Sequence, residues 1–374
     1  MIYKKSLYNF FLVTYIFSII FIWSSYPLIS DIIGLISLVL FIIYYKDQLP
    51  KRLNIIFLYL APLYIAALIS LELDNILYLL RYTMHILVAI IVFITLKRNI
   101  LYRSLYTIQF LVLPIGFVFT YFLSIEDPIN LYTLGYGLFT GAKNHFAYFV
   151  IGNYLFLTNF SSMSKKSNIL LLIITIVEVV LSRSATGIIA FSFVLIILGV
   201  KNVRSLSVGK ILRVFMYIIS ITLILSFFMK RLEVFNKILL NNFNRIKGLA
   251  TDESWELRTN FLFEKFNNAI LNGSFKDFLI GRGNFEGYLG LPFDNSYYAL
   301  FVGGGFLSAL AVVSLLVLNI FTAKNNKLYP LLIIGYSLIF FITANIMFEI
   351  QNSISFIMFL FPLLNLRKND SLLN

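Results

Sequence analysis

Long runs of apolar residues, separated by short polar connections, recur along almost the whole chain. A helix needs about 20 apolar residues to cross the hydrocarbon core of a bilayer, which is roughly 30 Å thick. Hydrocarbon offers no partner to an unpaired backbone group, so a spanning segment must be a helix or part of a closed barrel. No stretch alternates as barrel strands do. The sequence therefore predicts an all-α integral membrane protein, with residues 1–374 forming one polytopic membrane domain.

The apolar runs predict about twelve membrane-spanning helices. By hydropathy they cover residues 7–23, 27–45, 53–70, 76–96, 105–123, 144–160, 168–182, 185–200, 211–229, 296–321, 328–348 and 353–366. The first run follows Lys4 and Lys5 as in a signal peptide, but no small-residue cleavage site comes after it. We therefore interpret it as an uncleaved first span.

Composition agrees with a membrane protein and excludes several kinds of chemistry. Hydrophobic residues make up 60% of the chain and charged residues 13%, against about 25% charged residues in soluble domains. The chain has no cysteine, so disulfides and thiol chemistry are excluded. His85 and His145 are its two histidines, which argues against a multi-histidine metal site. We expect neither a metal nor a cofactor.

Lysine and arginine in the short connections predict the orientation of the chain. With the N-terminus in the cytoplasm, the basic pairs at 51–52, 97–98 and 165–166 all fall inside, and so does the C-terminus. Short outside connections instead carry acids such as Glu72 and Asp74. The net charge of +13 is then mainly a topology signal, and we expect no nucleic-acid partner.

One connection is far longer than the others. Residues 230–295, between predicted spans nine and ten, form a large hydrophilic loop on the outer side. A loop of this length is usually functional or disordered, and its aromatic and aliphatic residues argue against disorder. Near-helical spacing predicts short amphipathic helices within the loop, and the residues that show it are Trp255, Leu257, Phe261, Leu262 and Phe266.

Several ionisable residues lie inside predicted spans, where they are costly. Arg81 and His85 are four residues apart, on one face of span four and in its outer half. Asp31 and Glu178 also lie in outer halves, and we interpret them as internal partners for the arginines. The alternatives are that Arg81 extends to the outer interface and that His85 has a hydrogen-bonded structural role.

The sequence LSRSATG, residues 181–187, forms the outer turn between spans seven and eight. Ser184 and Thr186 can cap the next helix, and Gly187 lies in its first turn. Arg183 beside a helix N-terminus suits a phosphate group, because its planar fork matches phosphate oxygens. The alternative is an ordinary tight interhelical turn.

A second polar segment lies at the outer start of span six. The sequence GAKNHFAY, residues 141–148, places Lys143, Asn144 and His145 there. These residues are candidate substrate ligands. The alternative is that Lys143 lies at the membrane interface, as lysines often do, and that the other two residues have structural roles.

The large loop supplies further candidates. Arg258, in ESWELRTNFLFEKF, has no acidic residue four positions away to pair with, so it is a candidate substrate ligand. The alternative is an arginine that faces solvent on a helix. The loop ends in GRGNFEGYLGLPFDNSYYALFVGGG, residues 281–305. Asp294 suits general-base work on a sugar hydroxyl, or it caps span ten together with Asn295. The glycines at 303–305 would let span ten pack closely or bend.

These segments, in this order, resemble the O-antigen polymerase and O-antigen ligase superfamily. The resemblance rests on SRSATG after span seven, on Arg258 before an aromatic helix, and on LIGRGNF and DNSYYALFVGGG at the end of the loop. It implies a metal-independent, GT-C-like glycosyltransferase of the bacterial cytoplasmic membrane, acting at the outer face. Such enzymes join oligosaccharide units carried on undecaprenyl pyrophosphate and release the lipid pyrophosphate.

The resemblance also implies roles for individual residues. Arg183 and Arg258 would bind the pyrophosphate, and Asp294 would be the base or would orient the acceptor. The substrate-binding candidates are Arg81, His85, Lys143, Asn144, His145, Ser184, Gly281, Arg282, Gly283, Asn295 and Tyr297. Gly281 and Gly283 would let the backbone approach the glycan.

The ligases of this superfamily have histidine where this chain has Asp294, which favours a polymerase. The implied partners are the lipid-linked donor, the growing polysaccharide acceptor and membrane lipids, and a chain-length-regulating membrane protein is left open. A ligase and a transporter of lipid-linked glycan remain the alternatives. The sugars, their linkage and the kind of polysaccharide, whether O-antigen, capsule or another exopolysaccharide, stay open too.

Overall fold

The computed structural model describes most of the predicted membrane domain. The described residues are 2–21, 27–45, 54–126, 143–182, 184–203, 273–285, 287–288, 291–292, 295–322, 328–342 and 344–364. Within them the chain is helical, apart from irregular connections and one antiparallel hairpin of two-residue strands. The predicted all-α class is confirmed.

The helices follow one another with short connections. Up to the predicted large loop they are α1 Ile2–Phe21, α2 Pro27–Tyr45, α3 Asn54–Ser70, α4 Leu73–Thr95, α5 Arg98–Glu126, α6 Lys143–Phe160, α7 Lys165–Leu181 and α8 Ala185–Val203. The later elements are α9 Phe275–Ile280, β1 Gly287–Tyr288, β2 Leu291–Pro292, α10 Ser296–Tyr298, a π-helical turn Ala299–Gly303, α11 Gly304–Thr322, α12 Leu328–Phe341, a 3₁₀ turn Ile350–Asn352 and α13 Ser353–Leu364.

The apolar runs locate these helices well. The run at 27–45 coincides with α2, and the run at 144–160 differs from α6 by one residue. Among the described residues, three segments are long and apolar enough to cross a membrane: Pro27–Tyr45, Leu73–Thr95 and Ser296–Thr322. They indicate a membrane protein. The total of twelve spans stays a prediction, and the run at 211–229 lies outside the described residues.

The bundle has a buried centre and an apolar periphery. Helix α13 packs against α4, α6 and α11, and its Ile357, Met358 and Leu360 are fully buried. Helix α2 packs against α1 and α4 at the edge, and one side of it leaves Leu28 and Ile43 more than half exposed. An exposed apolar stripe on a helix of this hydropathy fits contact with lipid.

Two interruptions break the late helices. Helix α11 follows the π-helical turn, and Gly305 at its start has a φ of 65°, so the predicted bend at the glycine triplet is confirmed. The predicted span at 328–348 is wrong in its last third, because α12 ends at Phe341 and residues 344–349 are irregular, with a turn at 346–348.

Side chains from other elements compensate for the irregular backbone after α12. Ser296 donates its backbone N–H and its hydroxyl to the Ala344 carbonyl, at 3.1 and 2.8 Å. Tyr82 donates to the Met347 carbonyl at 2.7 Å, and Tyr78 donates to that of Phe348. Backbone groups away from water need such partners, so these bonds permit a non-helical segment inside the bundle.

Candidate functional site

An ion pair of α4 and α2 forms the first part of the candidate site. Asp31 accepts from Arg81 through both carboxylate oxygens, with Nη2–Oδ2 at 2.8 Å and Nε–Oδ1 at 2.9 Å. This two-pronged geometry is the strong form of an arginine–carboxylate pair. The predicted internal partnership of Asp31 with an arginine is therefore confirmed. The side chains are 36% and 22% exposed, so the pair lies at the edge of the bundle.

His85 extends this pair into the buried interior. Its Nε2 lies 2.8 Å from Asp31 Oδ1, and its Nδ1 lies 2.9 Å from the hydroxyl of Tyr15 on α1. A carboxylate can only accept, so Nε2 carries the ring hydrogen and Nδ1 accepts from the tyrosine. The Tyr15 oxygen in turn lies 3.4 Å from Ser353 Oγ, at the first residue of α13. His85 and Tyr15 are both fully buried.

The residue before Ser353 continues the chain of contacts. Asn352 donates from Nδ2 to His145 Nδ1 at 2.9 Å and to the Ile346 carbonyl at 3.1 Å. Because Nδ1 accepts, the neutral ring of His145 carries its hydrogen on Nε2. The predicted substrate residue His145 is 6% exposed and lies in the first turn of α6.

A further bond joins α6 to α8. Ser184 donates its hydroxyl to Asn144 Oδ1 at 2.7 Å, and Ser184 Oγ accepts the backbone N–H of Gly187 at 2.8 Å. Ser184 is thus the N-cap of α8, as predicted. Thr186 is already inside α8 and is not the cap, which corrects the second half of that prediction. A Cβ on Gly187 would lie 2.7 Å from the Cβ of Ala147, so the glycine permits close contact between α6 and α8.

These contacts, together with the chain itself between Ser353 and Asn352 and between His145 and Asn144, link one row of polar residues, which we call the polar seam. Its members are Arg81, Asp31, His85, Tyr15, Ser353, Asn352, His145, Asn144 and Ser184. The seam joins the first turns of α6, α8 and α13. Helix N-termini carry a partial positive charge and unpaired N–H groups, so three of them held together favour an anion.

The glycines of the large loop serve a contact that the resemblance did not imply. Gly283 donates its N–H to the Gly303 carbonyl at 2.8 Å, and Arg282 donates its backbone N–H to the Val302 carbonyl at 2.7 Å. Gly281 and Gly283 have φ values of 84° and 78°. A Cβ on Gly281 would lie 2.5 Å from the Gly303 carbonyl oxygen. Protein backbone therefore occupies the position of a side chain at Gly281, and the role of this residue in binding glycan stays a prediction.

A Cβ on Gly283 would likewise collide with α3, lying 2.7 Å from the Ala66 carbonyl oxygen and 2.8 Å from Ser70 Oγ. At this glycine too, binding of glycan stays a prediction. The two glycines hold the end of the loop against α3 and against the π-helical turn, whose widened geometry leaves carbonyl groups for the loop to use.

The other loop candidates also contact protein. Asn295 is the N-cap of α10, accepting the N–H groups of Tyr297 and Tyr298 at 2.8 and 3.3 Å. Its Nδ2 donates to the Ile342 carbonyl at 2.9 Å. The Tyr297 hydroxyl donates to a carbonyl of α12 at 3.3 Å. The Arg282 guanidinium lies 3.5 Å from Asp277 Oδ2 in α9.

The three residues predicted to act in catalysis, Arg183, Arg258 and Asp294, lie outside the described residues. Lys143 is the first residue of α6. Ser184, whose neighbour in sequence is Arg183, belongs to the seam. The seam therefore links, through hydrogen bonds and the neighbouring residues Asn352 and Ser353, two groups that the sequence suggested separately: Arg81 with His85, and Asn144 with His145 and Ser184.

Three residues that connect those two groups were not predicted from the sequence: Tyr15, Asn352 and Ser353. Tyr15 lies among many aromatic residues of an apolar run, and no local pattern distinguishes it. Asn352 and Ser353 offered a signal, since QNS at 351–353 is a polar group at the start of a predicted span. A polar group of this kind can cap any helix, so its role in the seam could be recognised only from the tertiary structure.

In the described part of the chain, no group of three or more histidine, cysteine or acidic side chains could hold a metal ion. Comparison of the chain with known protein families, with curated proteins and with solved structures found no match. The fold and the seam define the class: an all-helical membrane protein with a row of polar residues that runs from the edge of the bundle into its interior and joins the ends of three helices.

Proposed function

We propose that this protein is a polymerase that joins lipid-pyrophosphate-linked oligosaccharide units into a polysaccharide. It would act at the outer face of the bacterial cytoplasmic membrane, with both termini in the cytoplasm. The hydroxyl oxygen of one glycan attacks the anomeric carbon of the other, whose bond to the pyrophosphate oxygen breaks. The lipid pyrophosphate leaves, and the hydroxyl proton passes to a carboxylate. The proposal rests on the sequence resemblance and on the seam.

The observation that carries the proposal is the pair of bonds at the start of α6. Asn144 contacts Ser184 and His145 contacts Asn352, which brings the N-termini of α6, α8 and α13 together. Arg183 directly precedes Ser184 in the chain. A guanidinium beside joined helix N-termini would stabilise the charge that develops on a leaving pyrophosphate without a metal.

The contacts also favour different roles for the candidate residues. Asp31 already neutralises Arg81, so we assign Arg81 to positioning the seam and leave the pyrophosphate to Arg183 and Arg258. Asn295 caps α10, which removes the need for Asp294 as the cap. This supports Asp294 as the base that accepts the hydroxyl proton.

A transporter of lipid-linked glycan is the second candidate, and one observation favours it. The π-helical turn with Gly305 and the irregular segment after Phe341 interrupt two late helices. Interrupted helices are typical of transporters, in which they often form the substrate site near the middle of the membrane. In a polymerase the same interruptions would hold the end of the large loop.

The test is the polysaccharide made by a strain that lacks the gene and is complemented at matched expression. We expect wild type and Arg103→Ala, an exposed arginine of α5, to restore long polymer. We expect Arg183→Ala, Arg258→Ala and Asp294→Asn to leave single repeat units. Normal polymer that stays on its lipid carrier in the deletion strain would identify a ligase. Failure of single units to reach the outer face would identify a transporter.

A further inference from the structure

A second polar cluster lies away from the seam, in the contact between α5, α6 and α7. Its members, which we call the Glu178 cluster, are Gln109, Asn153, Thr175 and Glu178, and each is fully buried. Asn153 lies about 12 Å along α6 from His145 of the seam. The sequence predicted an arginine as the partner of Glu178. Among the described residues its side-chain partner is instead Gln109, at 3.0 Å from Oε2.

Every amide and hydroxyl hydrogen of the cluster is already used. Gln109 donates one amide hydrogen to Thr175 Oγ1 at 2.8 Å and the other to Glu178 Oε2. Asn153 donates to Gln109 Oε1 at 2.7 Å and to the Leu105 carbonyl at 3.1 Å. Thr175 donates its hydroxyl to the carbonyl four residues earlier in α7, at 2.7 Å.

Two acceptor atoms remain. Glu178 Oε1 and Asn153 Oδ1 are buried and have no hydrogen-bond partner among the residues that the structure describes. A buried acceptor without a donor is costly, and a buried carboxylate without a nearby positive charge is far more so. Among the residues that the structure describes, the carboxyl group of Glu178 therefore lacks a hydrogen-bond donor at Oε1.

We propose that the Glu178 cluster is a proton-binding site, and that Glu178 holds the proton on Oε1 as a neutral carboxylic acid. A proton satisfies the cluster because it needs only one oxygen and turns an unpaired acceptor into a donor. A hard metal cation such as Ca²⁺ or Mg²⁺ takes at least six oxygen ligands, whereas the cluster has two uncommitted side-chain oxygens. The proposal is independent of the polymerase assignment, since it uses none of the seam residues.

The direct test is the infrared spectrum of the full-length protein in lipid nanodiscs at neutral pH. A protonated carboxylic acid has a carbonyl stretch well separated from the bands of ionised carboxylates. We expect this band in wild type, and we expect it to shift when glutamate carries a ¹³C carboxyl label. The labelled wild type requires no substitution, so the test does not depend on the folding of a variant.

Two matched variants complete the assignment. Glu178→Gln should remove the band and should keep or raise the melting temperature, because its neutral amide carries hydrogen where the protonated carboxyl group does. Glu72→Gln changes an exposed glutamate and should leave the band intact. The proposal is overturned if wild type lacks the band, if the band survives in Glu178→Gln, or if sodium chloride raises the melting temperature of wild type but not of Glu178→Gln. The last result would identify a metal-cation site.

Discussion

Asn352 donates a hydrogen bond from Nδ2 to His145 Nδ1 at 2.9 Å, which joins the residue before α13 to the first turn of α6. The two residues are 207 positions apart in the chain. A second hydrogen of the same amide satisfies the Ile346 carbonyl. One side chain therefore fixes both the buried histidine and the irregular backbone that follows α12.

Replacement of Asn352 by alanine should destabilise the protein by about 1–3 kcal/mol, because it leaves two buried acceptors without a donor. Thermal unfolding in detergent, compared with Asn99→Ala at an exposed position of α5, measures this loss. Equal melting temperatures for the two variants would show that the bond to His145 contributes nothing to stability.

The Asp31–Arg81 pair should show measurable coupling. Its two short contacts predict an interaction free energy of about 1 kcal/mol in a double-mutant cycle of Asp31→Asn and Arg81→Ala. The matched control is the Asp277–Arg282 pair, which is similarly exposed but has one contact at 3.5 Å. Its coupling should be smaller, and a larger coupling there would contradict the importance of two-pronged geometry.

Alanine at Gly281 should destabilise the protein by at least about 1–3 kcal/mol, because the backbone there has a positive φ and is packed against the π-helical turn. The new Cβ would lie 2.5 Å from the Gly303 carbonyl oxygen and from the Gly305 nitrogen. Gly199→Ala in α8 is the control, since a Cβ there meets nothing within 4 Å. That control should be neutral or stabilising by about 1 kcal/mol.

Unfolding of the two glycine variants by heat provides the comparison. If Gly281→Ala unfolds at the same temperature as wild type, the loop is not held in the way the structure describes. A loss in both variants would instead indicate a general sensitivity of the bundle to added volume.

Hydropathy predicted the helices well, and local polar patterns predicted six of the nine seam residues. The run at 27–45 matches α2 because a lipid-exposed helix must be apolar over its whole length. The prediction of a helix over 328–348 was wrong beyond Phe341 for a related reason. Buried turns can be as apolar as a helix, because side chains from other elements form hydrogen bonds with their carbonyl groups. Ser296 and Tyr82 do so from other elements, and hydropathy contains no information about such distant bonds.

In the candidate site, too, local contacts were predicted from the sequence and distant contacts were not. Arg81 and His85 were found together because they share a helix face, and Ser184 was found because capping is local. The contact of Tyr15 with His85 joins residues 70 positions apart, so no spacing within one segment could indicate it. The glycines at 281 and 283 were recognised as special, but whether glycan or protein fills their space depends on the packing of α3 and α11.

Two serines offer the sharpest separation of stability from function. Ser184 caps α8 within the seam, whereas Ser164 caps α7 with its hydroxyl accepting from the Ser167 N–H at 3.1 Å, in an exposed position. Each alanine variant should lose about 1 kcal/mol of stability through the lost cap. Only Ser184→Ala also loses the bond to Asn144, and under the proposed function it misplaces the turn that carries Arg183.

We therefore expect polymer length to fall sharply in the Ser184→Ala strain and to stay near wild type in the Ser164→Ala strain, at equal amounts of protein in the membrane. Gel analysis of the polysaccharide measures both. If both strains make polymer of wild-type length, the contact between α6 and α8 is not part of the proposed site. Equal loss in both would mean that cap stability alone limits output, because the two variants share a missing cap and differ in the bond between Ser184 and Asn144.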